Sequence, residues 1–250
     1  MSARLTRNVA PGVHRLQHAY VNCYILEEEG ALTIVDAAHP KTWPYLKNAI
    51  TALGYEPTDV RALILTHAHF DHLGFALRAR QEWGIPVYAH RADHAIAEHP
   101  YQYAHENPRL IYPIRHPAAL PALLGMVGAG ALQVKGLTGI LDVHAGITLD
   151  VPGHPEVVFT PGHTYGHCAY FLRSASTLLS GDALVTFNPY TGAKGPQIVS
   201  GAATADSSRA LASLDKLAAT GAEIVLPGHG PSWRTSVESA VARALEAGPS

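Results

Sequence analysis

Thr66-His67-Ala68-His69-Phe70-Asp71-His72 places four metal-capable side chains within six residues, directly after the apolar run Ala62-Leu63-Ile64-Leu65. That run is short and bounded by charge on one side and by the polar cluster on the other, which predicts a buried strand. Side chains alternate faces along an extended backbone, so His67 and His69 point the same way and can share one ion. Asp71 and His72 follow where the chain must turn. Leu73 to Trp83 carries Leu73, Ala76 and Leu77 with Arg and Gln between them and Gly84 as a stop. This predicts a helix just after the cluster, with Asp71 and His72 at its N-terminal end.

Zinc takes histidine nitrogen and carboxylate oxygen in tetrahedral sets, and hydrolytic sites keep one position open for water. Four ligands from one loop do not suffice for two ions. Three further turn motifs each follow a strand-like apolar run: Val157 to Thr160 leads into Pro161-Gly162-His163-Thr164, Leu178-Leu179 into Ser180-Gly181-Asp182-Ala183, and Ile224 to Leu226 into Pro227-Gly228-His229-Gly230. Each offers one ligand at a strand end.

The H-x-H-x-D-H run from His67 to His72, then His163, Asp182 and His229, with the earlier strand end Ile34-Val35-Asp36, resemble the metallo-β-lactamase fold superfamily of metal-dependent hydrolases. Order and approximate spacing match from about Val21 to Trp233. The resemblance implies an αββα sandwich of two mixed sheets flanked by helices. It also implies two zinc ions per chain, with iron or manganese as alternatives. His67, His69 and His163 would hold the first, Asp71, His72 and His229 the second, and Asp182 would bridge them; Asp36 would stand just behind the ligands.

A chain of 250 residues, 47% hydrophobic and 15% charged, is expected to form a single domain, residues 1–250. A formal net charge of -2 gives no reason to expect nucleic acid as a partner. Cys23 and Cys168 lie in apolar runs and are expected as reduced core residues. The stretch from Met1 to Arg7 has no apolar signal core, so the cytoplasm is the expected location. Sixteen histidines exceed the five that the ligand set needs, and the others call for ordinary roles first. His39 is expected in a turn, and His167 in packing or behind the ligands.

The first segment predicts a meander of strands, Gly12 to Leu16, Val21 to Glu27 and Ala31 to Asp36, followed by a helix from Pro40 to Leu53. After a strand at Pro86 to Ala89, residues 91–148 exceed what one strand-helix unit requires. They are expected to be a partly helical lid insertion, with His94, His99, His105, His116, Tyr101, Tyr103 and Tyr112 as a group available to line a pocket. Within it, Pro117 to Val134 carries no charge, but proline and glycines interrupt it and no basic flank anchors it. A substrate cover or a contact in a homo-oligomer is expected there, not a membrane span. Later strands are expected at Ile147 to Val151, Glu156 to Thr160, Cys168 to Leu172 and Thr177 to Leu179. A helix starts at Asp206 or Ser207, and a last helix is capped by Thr235 with Glu238.

The expected chemistry is hydrolysis of an ester, thioester or lactone bond of a small molecule by hydroxide held at a dinuclear zinc centre, with Asp71 handling the proton and Asp182 bridging. β-Lactamases of this fold usually carry Cys or Ser where Asp182 stands. Glyoxalase II-type thioesterases share the Asp, but their Cys-Gly-Arg pattern after it and their C-terminal helical domain have no counterpart here. Acyl-homoserine lactonases often place Tyr three residues after the bridging Asp, where this chain has Val185, leaving Tyr190 or Tyr165 as substitutes. Two other classes compete: a sulfur dioxygenase with one iron on His67, His163 and Asp182, and a non-catalytic metal-binding domain.

Overall fold

Strands whose apolar residues alternate between two buried faces build the frame. In a computed structural model, which describes residues 2–250, one mixed sheet follows chain order. Its strands are β1 (Arg4–Ala10), β2 (Val13–His18), β3 (Val21–Glu28), β4 (Ala31–Val35), β5 (Val60–Ile64), β6 (Val87–Ala89) and β7 (Leu141–Asp142). Neighbours from β1 to β4 are antiparallel, and those from β4 to β7 are parallel. The second sheet begins with the antiparallel β8 (Glu156–Phe159), β9 (Cys168–Leu172) and β10 (Thr177–Gly181). A separate hairpin, β11 (Val185–Phe187) and β12 (Lys194–Gln197), follows, and β13 (Ile224–Pro227) then pairs parallel with β10.

The alternation sets the layers. Along β3, Val21, Cys23 and Ile25 join the core beneath helices α1 (Trp43–Leu53), α2 (Phe70–Leu73) and α3 (Ala76–Trp83), whereas Tyr24 and Leu26 face the second sheet. Three short helices, α4 (His94–Glu98), α5 (Tyr112–Arg115) and α6 (Leu120–Gly128), fall between β6 and β7. Along β9, Cys168, Tyr170 and Leu172 enter the core between the sheets, while Ala169 and Phe171 pack with Leu214 and Leu217 of α7 (Ser207–Ala218) and Val241 and Ala244 of α8 (Val237–Ala247). The result is the expected αββα sandwich. Cys23 and Cys168 are free and buried, and burial pushes both thiols up.

Several elements differ from the sequence expectation. The helix after the ligand run is broken at Gly74, because Gly74 N–H donates to Ala38 O (2.9 Å) and Phe75 N–H to Ala37 O (3.0 Å), pairing the backbone with the chain beyond β4. The expected helix from Pro40 begins as a single 3-10 turn, Pro40–Thr42, before α1. Ile147 to Val151 forms only an isolated bridge, Thr148 to Glu156. The α8 cap is Ser236, whose Oγ accepts from Ser239 N–H (3.2 Å), one residue beyond the expected Thr235. The 91–148 stretch contains β7, an edge strand of the first sheet, and its Ala97, Met126, Ala131, Val134 and Leu137 belong to the core under α1. The uncharged segment within it forms α6, with Ala122 and Met126 buried and Leu124 and Val127 exposed. Among the described residues no helix is long and apolar enough to cross a membrane.

Candidate metal centre

The two sheets are tied together at the end where the candidate ligands emerge. Tyr170 Oη donates to Leu65 O (2.8 Å), Cys168 N–H to Thr66 O (2.8 Å) and Tyr24 Oη to Pro227 O (2.7 Å). Asn22 Nδ2 donates to the carbonyls of Pro227 and Gly230 on either side of His229. The ends of β5, β10 and β13 are thereby held in register. The turns that follow have no room for a side chain beside the candidate ligands. A Cβ on Gly228 would collide with Asp182 Oδ1, and one on Gly181, at φ 51°, would lie 2.7 Å from His167 Nε2.

His67, His69 and His163 bring ring nitrogens within 4.8 Å of one another, and the same holds for the ligand atoms of Asp71, His72 and His229. A third triad, His67, His72 and Asp182, shares members with both. Asp182 lies against both sets: Oδ2 is 3.5 Å from His163 Nε2 and 3.1 Å from His229 Nε2, and Oδ1 is 3.5 Å from His72 Nε2. His229 Nε2 also lies 3.4 Å from Asp71 Oδ2.

Four of the five rings are held from behind through Nδ1. His72 Nδ1 donates to Asp36 Oδ2 (2.8 Å), and His229 Nδ1 to Tyr20 O (2.9 Å). Thr204 Oγ1 gives its proton to Val199 O, so it accepts from His163 Nδ1 (3.2 Å). Thr66 Oγ1 gives its proton to Asp36 and accepts from His67 Nδ1 (3.0 Å). A proton fixed on Nδ1 leaves the Nε2 lone pair aimed into the cluster. The Nε2 atoms of His67, His69, His72, His163 and His229, and Asp182 Oδ1, are all buried with no hydrogen-bond partner. Buried polar atoms without partners are rare in folded proteins, and a divalent cation is the partner that fits this ligand set.

The electrostatics agree with that fit. Burial, then the neighbouring imidazoles, hold His67 well below the usual range, and burial with His163 does the same for His69. Burial lowers His163 to about 4. Burial acts against protonation of His72 too, but the carboxylates of Asp182 and Asp36 overcome it and push His72 up to about 9. His229 is raised in the same way, chiefly by Asp182. Burial alone would raise the two carboxyls, yet His229 and His72 hold Asp71 and Asp182 well below the ordinary carboxylate range. Two buried carboxylates therefore demand positive charge at this spot.

Three residues support the cluster from outside it. Asp36, at φ 62°, accepts from Thr66 N–H (2.7 Å) as well as from His72. His167 stands behind the ligands: its Nε2 accepts from Asp182 N–H (3.0 Å) and its Nδ1 meets Thr160 Oγ1 (2.8 Å). Asp93 has no counterpart in the sequence expectations. It is fully buried and accepts from Ala68 N–H (3.0 Å), Gly166 N–H (2.8 Å) and Thr164 Oγ1 (2.7 Å), pinning the His67–His69 loop to the His163 turn. Burial lifts its carboxyl to about 6 although these hydrogen bonds pull the other way. His39 opens the 3-10 turn Pro40–Thr42; it is buried without a hydrogen-bond partner on its ring, and burial lowers it to about 4.

Of the aromatic and histidine residues in the 91–148 stretch, Tyr103 reaches the cluster, its ring 3.9 Å from that of His69, and Tyr101 stacks on Phe70. The others have different neighbours. His94 Nε2 meets Ala89 O, His105 Nδ1 meets Asn107 O, and the rings of Tyr112 and His116 pack together.

A fold of this kind with buried histidines and aspartates at its strand ends defines a class of metal-dependent hydrolases. The model of the metallo-beta-lactamase superfamily matches residues 18–229, and the chain belongs to that superfamily. It is 28% identical over 248 residues to the probable metallo-hydrolase YflN of Bacillus subtilis, covering 88% of this chain and 84% of that one. It is 26% identical over 204 residues to an N-acyl homoserine lactonase of Bacillus thuringiensis, covering 71% and 68%. Among solved structures, the metallo-beta-lactamase family protein TTHA1429 of Thermus thermophilus superposes with a TM-score of 0.67 at 26% identity, over 95% of this chain and 79% of that one.

Proposed function

We propose that this chain hydrolyses an ester, thioester or lactone bond of a small molecule with two divalent ions, zinc first among them. His67, His69 and His163 hold one ion, Asp71, His72 and His229 hold the other, and Asp182 joins them. The observation that carries this reading is the set of five buried, partnerless Nε2 atoms converging on two buried carboxylates. Bound divalent ions supply a nucleophile from water at neutral pH and polarise the oxygen of the bond under attack. The protein's own part is orientation and proton handling. Asp182, fixed through its N–H by His167, lies between the sets, against His163 of one and His72 and His229 of the other. Asp71, kept ionised by His229 and His72 and the most exposed of the seven at 6%, is the group available to take a proton from an incoming water. The intact second triad favours two ions over the single iron of a dioxygenase, and the similarity to a lactonase puts lactones first among substrates.

The test is metal content per chain by mass spectrometry on protein purified without added metal, with a panel of lactones, aryl esters and thioesters on the same sample. The expected result is close to two zinc ions and chelator-sensitive cleavage. His67→Ala or Asp182→Ala should lower the rate by several orders of magnitude with the fold retained. One iron with no hydrolysis, or full activity in either variant, would overturn the assignment.

A further inference from the structure

Tyr103 carries a buried hydroxyl that makes no hydrogen bond within the folded chain. Its ring lies 3.9 Å from the His69 ring and 6.5 Å from that of Phe70, so the phenol stands directly over one of the candidate ligands. The Arg109 guanidinium lies 4.0 Å from the Tyr103 ring centre, and hydrogen bonds from Arg109 to Ala202 O (3.2 Å) and Tyr103 O (3.4 Å) anchor it. Ring and cation thus fix each other. Tyr103 Oη has no hydrogen-bond partner of good geometry. The neighbouring Tyr190 hydroxyl makes no hydrogen bond with it.

Packing alone does not account for this hydroxyl. Phenylalanine would make the same ring contacts with His69 and Arg109 without burying a polar atom, and a buried donor left unpaired is costly. What the site lacks is an acceptor, and the oxygens of esters, thioesters, lactones and the carboxylates they yield are acceptors. We propose that Tyr103 Oη is the hydrogen-bond donor that this chain presents to the carbonyl or carboxylate oxygen of the molecule bound at the metal centre, an inference that rests on the hydrolytic reading above. Tyr103 is then a catalytic residue supplied by the segment between β6 and β7.

The experiment compares wild-type and Tyr103→Phe protein, both loaded with zinc, using hexanoate as a carboxylate probe. Three quantities are read: zinc per chain by mass spectrometry, melting temperature, and hexanoate affinity by calorimetry. The expected result is the same two zinc ions, a melting temperature no lower than wild type, and hexanoate binding weakened about tenfold, the loss of one hydrogen bond to a charged acceptor. Hexanoate affinity within twofold of wild type overturns the inference, as does a lower melting temperature in the variant, because the hydroxyl would then have a structural partner. Failure of the wild type to bind hexanoate while holding two zinc ions removes Tyr103's role and leaves the metal assignment standing. Failure of the wild type to bind zinc removes both.

Discussion

Replacing Asp36 by Asn exchanges a carboxylate that accepts three protons for an amide with a single acceptor oxygen. Asp36 takes Thr66 N–H at 2.7 Å, Thr66 Oγ1–H at 2.9 Å and His72 Nδ1–H at 2.8 Å. The amide oxygen satisfies more donors when it faces Thr66, and that orientation turns the amide NH2 toward His72 Nδ1. His72 must then accept at Nδ1 and carry its proton on Nε2, the nitrogen needed for a metal. The effect is larger than a lost hydrogen bond because the wrong tautomer is locked in. Removing partners that orient metal-ligating histidines costs about tenfold to a hundredfold in metal affinity, or about 1.4 to 2.7 kcal/mol. The loss should fall on the ion shared by Asp71, His72 and His229. The ion on His67, His69 and His163 should stay within a few fold of wild type, because Thr66 keeps its acceptor and still supports His67. Titration of the Asp36→Asn protein with zinc against a chromophoric chelator resolves the two steps. Two ions bound with wild-type affinity would refute the tautomer argument; loss of both would show that Asp36 supports the whole cluster.

Metal binding should release protons: at pH 7 His72, raised to about 9 by Asp182 and Asp36 against the effect of burial, must lose its proton to ligate. Zinc affinity should therefore fall by about tenfold for each pH unit below about 9 per proton displaced, and a flat profile between pH 6.5 and 8.5 would contradict the placement of His72. Asp93, held at about 6 by burial in place of its ordinary 3.8, favours the folded state below about pH 4 and loses that contribution as pH rises through 6. The difference in stability between wild type and Asp93→Asn should shrink by about 3 kcal/mol over that range, read from urea unfolding of chelator-treated protein; parallel pH profiles would count against it. Gly74→Ala should cost about 3 kcal/mol or more, because the new Cβ would run into Ala38 O and the His39 backbone with nothing flexible to yield. A melting temperature near wild type would mean that the α2–β4 junction is looser than it looks.

The candidate site was legible in the sequence to the extent that it obeyed local rules. His67 and His69 share a face because an extended chain alternates, and His163, Asp182 and His229 each follow a strand that ends in a Gly-containing turn, so their placement needed only the strands to be found. Asp36 and His167 were near enough to that pattern to be placed behind it. Asp93 was not, because its partners Ala68 and Gly166 lie 25 and 73 residues away, and an aspartate before a short helix looks like an ordinary cap. The same non-locality hid β1, whose Arg4, Thr6, Arg7 and Asn8 give no apolar alternation on an edge strand, and β11–β12, where Gly195 and Pro196 mask a strand that pairs only within its own hairpin. Gly74 points the same way. By periodicity alone Leu73 to Trp83 is one helix, and the break appears only because the chain beyond β4 supplies carbonyls that take over the Gly74 and Phe75 amides. Local sequence thus declares which side chains can meet an ion, while the groups that hold those side chains at the right angle are contributed from distant segments. For that reason the tautomer test at Asp36 and the bracing test at Asp93 probe what the motif cannot state: whether the scaffold around the histidines is organised for metal binding.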